Sequence, residues 1–334
     1  MTSRYAARYR DPQGAGDKRP TALEIVKDNG LENALSDKTI LITGCSSGIG
    51  IDTAKALAAT GATLYCTARD VQKGQKALSN ILSPFRVEII ELKLDSLKSV
   101  RACAKHVLSE EKKLNVLVCN AGIMAVPELQ KTEDGFESQL GTNHLGHFLL
   151  FNLLKPALLA GSTPAFNSRV VMVSSTGHRN NGIFFDDMQF ENGSYTPFSA
   201  YGQSKTANIY MANEIENRYG AMGLHGLSLM PGGIATGLQA HLDPKMTSAW
   251  AQNKEVMNSL MSTEQGAATT VLAAVGKDLE GKGRIYLEKC DQAEVVKPGY
   301  GMLDGGYKEH AFDKESEGRM WKESLKPVGL AEDD

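Results

Sequence analysis

A short apolar run that breaks into a glycine turn, and then into an alanine-rich helix, constrains this chain more than any other stretch. Residues 38–44 (KTILITG) carry β-branched apolar side chains without polar alternation, the pattern of a strand buried on both faces. The run passes into Gly44-Cys45-Ser46-Ser47-Gly48-Ile49-Gly50, and residues 51–59 continue as a helix closed by Gly61. Strand, glycine turn and helix in that order open a dinucleotide-binding unit. The glycines let backbone approach a pyrophosphate, and the helix N-terminus offers unpaired N–H groups and a positive dipole end. The spacing is G-xxx-G-x-G rather than the more common G-x-G-xx-G.

The same alternation repeats along the chain. Strands are expected at residues 62–67, 87–94, 115–120, 169–175 and 224–233, the last stopped by Pro231, with a final short strand at 284–287. Helical patterns occupy residues 21–26, 135–159, 200–219 and 314–325, and another helix begins at Ser96. From Leu238 the apolar positions 238, 242, 246, 250, 257 and 261 recur at near-helical spacing, predicting one further helix. This order predicts an α/β fold: a single Rossmann-type, doubly wound parallel sheet with helices on both faces. The catalytic domain is placed at residues 37–290. A polar, solvated arm (1–36) precedes it, and a C-terminal extension (291–334) follows it. Residues 176–198, rich in Gly, Asn, Asp and Phe, read as a surface insertion, and 236–262 as a second variable loop.

Composition narrows the function. The 334 residues carry 36 basic and 39 acidic side chains, a formal charge of −3, which gives no general attraction to nucleic acid. The most apolar stretch, 147–160, is interrupted by Asn152, Lys155 and Pro156 and falls short of a bilayer span. Five scattered cysteines without a CxxC fit reduced thiols in a cytoplasmic setting. The seven histidines form no grouping with metal-ligand spacing, so no metal is expected.

Chemistry gathers at the strand ends. Tyr201 and Lys205 are four apart on a helix and share one face. An ordinary phenol titrates near about 10, and a neighbouring ammonium favours its ionised form. The pair could therefore protonate a carbonyl oxygen or deprotonate an alcohol. Strand two ends at Ala68-Arg69-Asp70; no acid stands where an NAD site needs one for the ribose, and Arg69 suits a 2′-phosphate. The alternative there is a solvated Arg69 with Asp70 capping the next helix. Asp95 either meets the adenine edge or caps the helix from Ser96. Asn120 could tie neighbouring strands, and Ala121-Gly122 admits a flat ring. Ser174 and Ser175 stand at the C-terminal end of strand five, where open parallel sheets bind ligands.

Taken jointly, Thr43-GCSSGIG, Cys119-NAG, Asn143, Ser175, Tyr201-xxx-Lys205 and Pro231-Gly232 resemble the short-chain dehydrogenase/reductase family. The motifs span residues 38 to about 290. The strings CTARD, TNHLGHFLL and VVMVSSTGHR are similar to its retinol-dehydrogenase-like and WW-domain-oxidoreductase-like branch, and the charged tail with Trp321 to fungal members. The resemblance implies a tetrad: Tyr201 as acid/base, Lys205 lowering its pKa and holding the nicotinamide ribose, Ser175 bonding the substrate oxygen, Asn143 holding a water linked to Lys205. It places Ser46, Ser47, Gly48, Ile49 and Gly50 around the phosphates, and Pro231, Gly232, Ile234 and Thr236 beside the nicotinamide. Cys119 departs from the family pattern, where many members carry Asn. Pairing through the helices bearing Asn143 and Tyr201, as a homodimer or homotetramer, is also implied, unless the tail blocks it.

These readings converge on an NADP(H)-dependent carbonyl reductase or alcohol dehydrogenase. Its expected substrate is a small, largely apolar ketone, aldehyde or secondary alcohol, with a setting in secondary metabolism. The rivals are an NAD-dependent oxidative enzyme with the same tetrad, and a non-catalytic cofactor-binding scaffold or redox sensor.

Overall fold

The computed structural model describes residues 4–83 and 86–331. Helix α1 (Ala22–Asp28) opens with a reciprocal capping box between Thr21 and Glu24. Strand β1 (Thr39–Ile42) is buried along its whole length and leads through the glycine turn into α2 (Ile49–Ala58). Then follow β2 (Thr63–Ala68), α3 (Val71–Ala77), β3 (Val87–Glu91), α4 (Leu97–Glu110) and β4 (Val116–Cys119). A single turn, α5 (Ser138–Leu140), continues through a π-helical stretch at Gly141–Leu145 into α6 (Gly146–Gly161). Next come β5 (Ser168–Val173), the long α7 (Pro197–Tyr219) and β6 (Leu224–Met230). The chain ends with α8 (Pro244–Gln252), α9 (Lys254–Ser259), α10 (Thr263–Gly266), α11 (Ala268–Val275), β7 (Ile285–Glu288), β8 (Asp291–Gln292) and α12 (Lys314–Leu325).

The sheet runs in the order β3-β2-β1-β4-β5-β6-β7-β8. Every pairing is parallel except β7 with β8. The strand order reverses between β1 and β4, and their C-terminal ends form the crevice where such sheets bind ligands. One apolar layer packs α1, α2 and α11 on one face; the other packs α4, α6, α7 and α12 on the opposite face. Burial on both faces explains the unalternating apolar runs of β1, β4 and β5.

Four expectations are corrected. The helix predicted at 135–159 begins at Ser138 and is widened into a π turn at Asn143, which hydrophobic period cannot distinguish from an α turn. The single helix expected from Leu238 is broken into α8 and α9, because Asp243 and Asn253 each cap a new start. The insertion after Ser175 is anchored rather than loose on the surface. His178 and Phe190 are buried, and the Tyr195 hydroxyl donates to the Val126 carbonyl at 2.6 Å. The N-terminal arm is likewise not solvated throughout: Tyr5 and Arg19 are each only 3% exposed.

Helix α12 lies against α6 and α7 of its own chain. Trp321 packs edge-on to Phe148 and Phe151, at ring separations of 4.9 and 6.0 Å, and the Arg218 guanidinium stacks on its indole at 4.7 Å. Ser324 shares a 2.8 Å hydrogen bond with His144, and Glu317 accepts from Asn213 at 2.8 Å.

Candidate active site

At the sheet's C-terminal edge the glycine turn forms a bare cradle. Gly44 and Gly48 both have positive φ, +76° and +59°. A methyl group on Gly50 would lie 2.2 Å from the Gly44 carbonyl oxygen, so the turn can close only on hydrogen. Among the described residues no side chain caps α2, so its first N–H groups remain available for an anion. Ser46 is half-buried and Ser47 exposed on this turn. Asn120 ties β4 to β1 as expected: its Nδ2 donates to the Thr43 carbonyl at 2.8 Å, while its buried Oδ1 has no partner among the described residues. An uncapped helix N-terminus over a glycine cradle, with an orphaned acceptor beside it, fits a dinucleotide.

Toward the adenosine end, β2 finishes on buried Ala68, and Arg69 is exposed with no ion pair or hydrogen bond among the described residues. Asp70 caps α3 by accepting from the Lys73 N–H at 2.9 Å. Asp95 does not cap α4. Asp134 does so from another loop, accepting from the Leu97 N–H at 2.8 Å, and Asp95 is half-buried.

The four residues of the expected tetrad occupy the adjoining region. Tyr201 lies in the first turns of α7, whose start is fixed by Pro at its first position and by Thr196 accepting from the Ser199 N–H at 3.1 Å. Tyr201 and Lys205 are each 4% exposed, and the Lys205 ammonium sits 5.6 Å from the Tyr201 ring centre. Gly122 joins this group. A methyl there would be 3.0 Å from Asn143 Oδ1 and 3.4 Å from Lys205 Nζ. Gly177 gives the phenol its space, since a methyl on it would meet the Tyr201 ring at 2.8 Å.

The two serines separate cleanly. Ser174 is buried and spends its hydroxyl on the Lys205 carbonyl at 2.8 Å, pinning β5 to α7. Ser175 accepts from the Gly177 N–H at 3.0 Å, which orients its oxygen, and its hydroxyl acts on the Tyr201 phenol. Ser175 therefore lies on the Tyr201 side of the strand end, and Ser174 braces the fold.

Electrostatics depart from the expectation that Lys205 pulls the phenol down. Burial pushes Tyr201 up to about 12, opposed only by the Ser175 hydroxyl. The cost of a buried phenolate dominates: Lys205 lies over the ring face and donates to the Val173 carbonyl at 3.0 Å instead of to the phenol oxygen. Burial brings Lys205 itself down to about 8.

Asn143 is more committed than its expected water-holding role suggests. Its Nδ2 donates to the Ile123 carbonyl and the Ser204 hydroxyl, both at 2.9 Å, and its Oδ1 accepts from the Ile123 N–H at 2.8 Å. A water there would be held through oxygen lone pairs alone. The Asn143 carbonyl accepts from His147 Nδ1 at 2.9 Å, a contact the sequence reading missed; the i, i+4 spacing from Asn143 was its only signal. Pro231 leads into Gly232, whose φ of +115° is covered by the Met261 side chain. Ile234 and Ile49 both lie against Gly266, and the Thr236 methyl lies beside Gly48 at the edge of the glycine turn.

A family model described as short chain dehydrogenase matches residues 38–247, which contain the glycine turn and all four of these residues. The chain belongs to this family. This short-chain dehydrogenase is similar to the short-chain dehydrogenase/reductase prx1 of Penicillium roqueforti, with 54% identity over 329 residues, covering 98% of this chain and 96% of that one. Human retinol dehydrogenase 12 is 35% identical over 300 residues, covering 89% and 88% respectively, which agrees with the branch read from the motifs. A solved structure of an uncharacterised protein from Mycobacterium paratuberculosis superimposes with a TM-score of 0.68 at 33% identity, covering 93% of this chain and 98% of that one.

Proposed function

We propose that this short-chain dehydrogenase is an NADP(H)-dependent carbonyl reductase/alcohol dehydrogenase acting on a small, largely apolar ketone, aldehyde or secondary alcohol. The observation that carries the reading is a buried, protonated Tyr201 phenol beside an oriented Ser175 hydroxyl at the mouth of the glycine cradle. A phenol held near 12 keeps its proton at neutral pH and can give it to a carbonyl oxygen as negative charge builds there. Ser175, its oxygen already accepting from Gly177 and its hydroxyl turned to the Tyr201 phenol, can redirect that hydrogen to the same carbonyl oxygen when substrate binds. Lys205 keeps two N–H donors beyond its bond to Val173, placed to hold ribose hydroxyls and orient the ring. The nicotinamide cofactor, when bound, supplies the hydride in reduction and accepts it in oxidation.

Arg69, exposed beside Ala68 with no acid at the strand end, supports NADP(H). Met246, Trp250 and Met257 along residues 236–262, none of them buried, support an apolar substrate, as does similarity to a relative named for retinol. We place the catalytic domain at residues 37–290 and the protein in the cytoplasm, on five free thiols and on the lack, among the described residues, of a helix long and apolar enough to cross a membrane. The cofactor assignment is tested with Arg69→Asp. Losing a charge-assisted contact to a 2′-phosphate should weaken NADPH by about tenfold or more while NADH changes little. Equal weakening of both would contradict it.

A further inference from the structure

The N-terminal arm bonds to one short segment far away in sequence. Arg19, 3% exposed, donates from Nη1 to the Ser259 carbonyl at 2.7 Å and from Nη2 to the Leu260 carbonyl at 2.6 Å. Its Nη2 also donates to Gly14 at 3.0 Å, and its Nε to Asp17 Oδ1 at 2.8 Å. Asp17 is itself locked. Although burial opposes ionisation, hydrogen bonds from Arg19 and Gln13 hold it down at about 2. The Gly14 N–H donates to the Asn258 carbonyl, and the Gly16 N–H to Gln265 Oε1, both at 2.9 Å. Gln265 Nε2 returns donors to the Asp17 and Arg19 carbonyls at 3.0 and 3.2 Å.

The strapped segment touches the proposed nicotinamide floor. Met261, next to Leu260, donates its N–H to the Gly233 carbonyl at 2.8 Å, and its side chain covers Gly232. Gly266, next to Gln265, packs on Ile234 and Ile49. On the other side, Ser259 ends the α8–α9 segment, and none of the nine residues of α8 is buried. An element with so little apolar anchorage is held by its ends. Arg19 satisfies the last carbonyls of α9, which otherwise lack partners at a helix C-terminus, and does so with a fixed cation.

We propose that residues 14–19 are a strap that completes the substrate side of the site, with Arg19 as a positioning residue. It sets the hinge at Ser259–Met261 from which α8 and α9 cover the nicotinamide and the carbonyl. The inference rests on the reading above, that Pro231-Gly232 underlies the nicotinamide.

The test compares wild type with Arg19→Ala, Arg19→Lys and Asp17→Asn in the full chain, reading NADPH affinity, KM, kcat and limited proteolysis. In Arg19→Ala, KM for the carbonyl should rise about tenfold with kcat within about twofold, because the hinge shapes binding while Tyr201 is untouched. New cleavage should appear within residues 240–258, and saturating NADPH should suppress it. Arg19→Lys should recover part of the KM. Should Arg19→Ala not fold, Asp17→Asn keeps the guanidinium and should show the same signs more weakly. Unchanged KM and an unchanged cleavage pattern would overturn the strap. A kcat loss tracking the fraction unfolded, at constant KM, would also overturn it by reducing Arg19 to general stability. If wild type neither binds NADPH nor reduces carbonyls, the functional reading fails, while the cleavage comparison still decides the strap.

Discussion

The Thr43 hydroxyl and His147 Nε2 lie 2.9 Å apart in the core, joining the strand that enters the glycine turn to the helix that carries Asn143. Thr43 Oγ1 accepts from the Asn120 and Ala121 N–H groups at 2.9 and 3.0 Å, so its own hydrogen goes to Nε2. That fixes the tautomer: Nδ1 carries the proton and donates it to the Asn143 carbonyl at 2.9 Å. One neutral imidazole thus holds the ends of β1 and β4 in register with the π turn at Asn143.

Replacing His147 with Leu keeps the bulk and removes both bonds, leaving a buried hydroxyl and carbonyl short of partners. The expected cost is about 1–3 kcal/mol, read by urea denaturation, with a lower kcat because Asn143 no longer holds Ile123 and Ser204 in place. Full stability and activity in His147→Leu would show that this chain of bonds is dispensable.

Stability should fall as the solution is acidified below pH 6.5. Burial holds His144, His147 and His178 down at about 3, 4 and 3, against the ordinary 6.5. Between those values the unfolded chain binds protons that the folded chain refuses, so their contribution is complete above 6.5 and is lost as pH falls toward 4. Each contributes a slope of up to about 1.4 kcal/mol per pH unit. Burial raises the Glu137 and Glu288 carboxyls, which oppose the trend at more acid pH. Thermal melts should therefore show a Tm declining most clearly between about pH 6.5 and 5. A flat Tm there would contradict neutral burial of these imidazoles.

Gly177→Ala tests how the phenol is placed. The added methyl meets the Tyr201 ring at 2.8 Å and has to push it from the Ser175 side. A displacement of about an ångström at a reacting group costs on the order of a hundredfold. The expectation is a large loss of kcat with NADPH affinity unchanged, followed by turnover and by cofactor fluorescence titration.

Much of this was legible in the sequence, for identifiable reasons. The β1–turn–α2 unit could be read because buried parallel strands are apolar without alternation and only glycine tolerates the turn. Ser175, Tyr201 and Lys205 were readable from their order along the chain. The arm was not, because Asp17 and Arg19 are charged and look solvated, yet they pair with each other and Arg19 is buried against the Ser259 carbonyl, 240 residues away. Strand β8, two residues long, is too short for any pattern. The helical period around Lys314 gave α12 but not its partner surface.

That partner surface bears on assembly. The α6–α7 face, through which the family resemblance implies pairing, already carries Trp321 and Ser324 of the same chain. The full chain should behave in solution as a monomer of 36.0 kDa by light scattering. Trp321→Ala should cost about 3–5 kcal/mol and expose this face. A wild-type dimer of helix-paired subunits would contradict the arrangement.

The most direct test is NADPH consumption by the purified protein across aromatic, polyketide-like, steroid and retinoid carbonyls, run beside Tyr201→Phe. Removing the proton donor should lower the rate by about 10²–10⁴-fold while NADPH still binds, since the phenyl ring fills the same buried space. Turnover that disappears with the hydroxyl is the predicted result. Turnover that persists in Tyr201→Phe, or NADPH binding without turnover on any carbonyl, would contradict a reductase built on Tyr201.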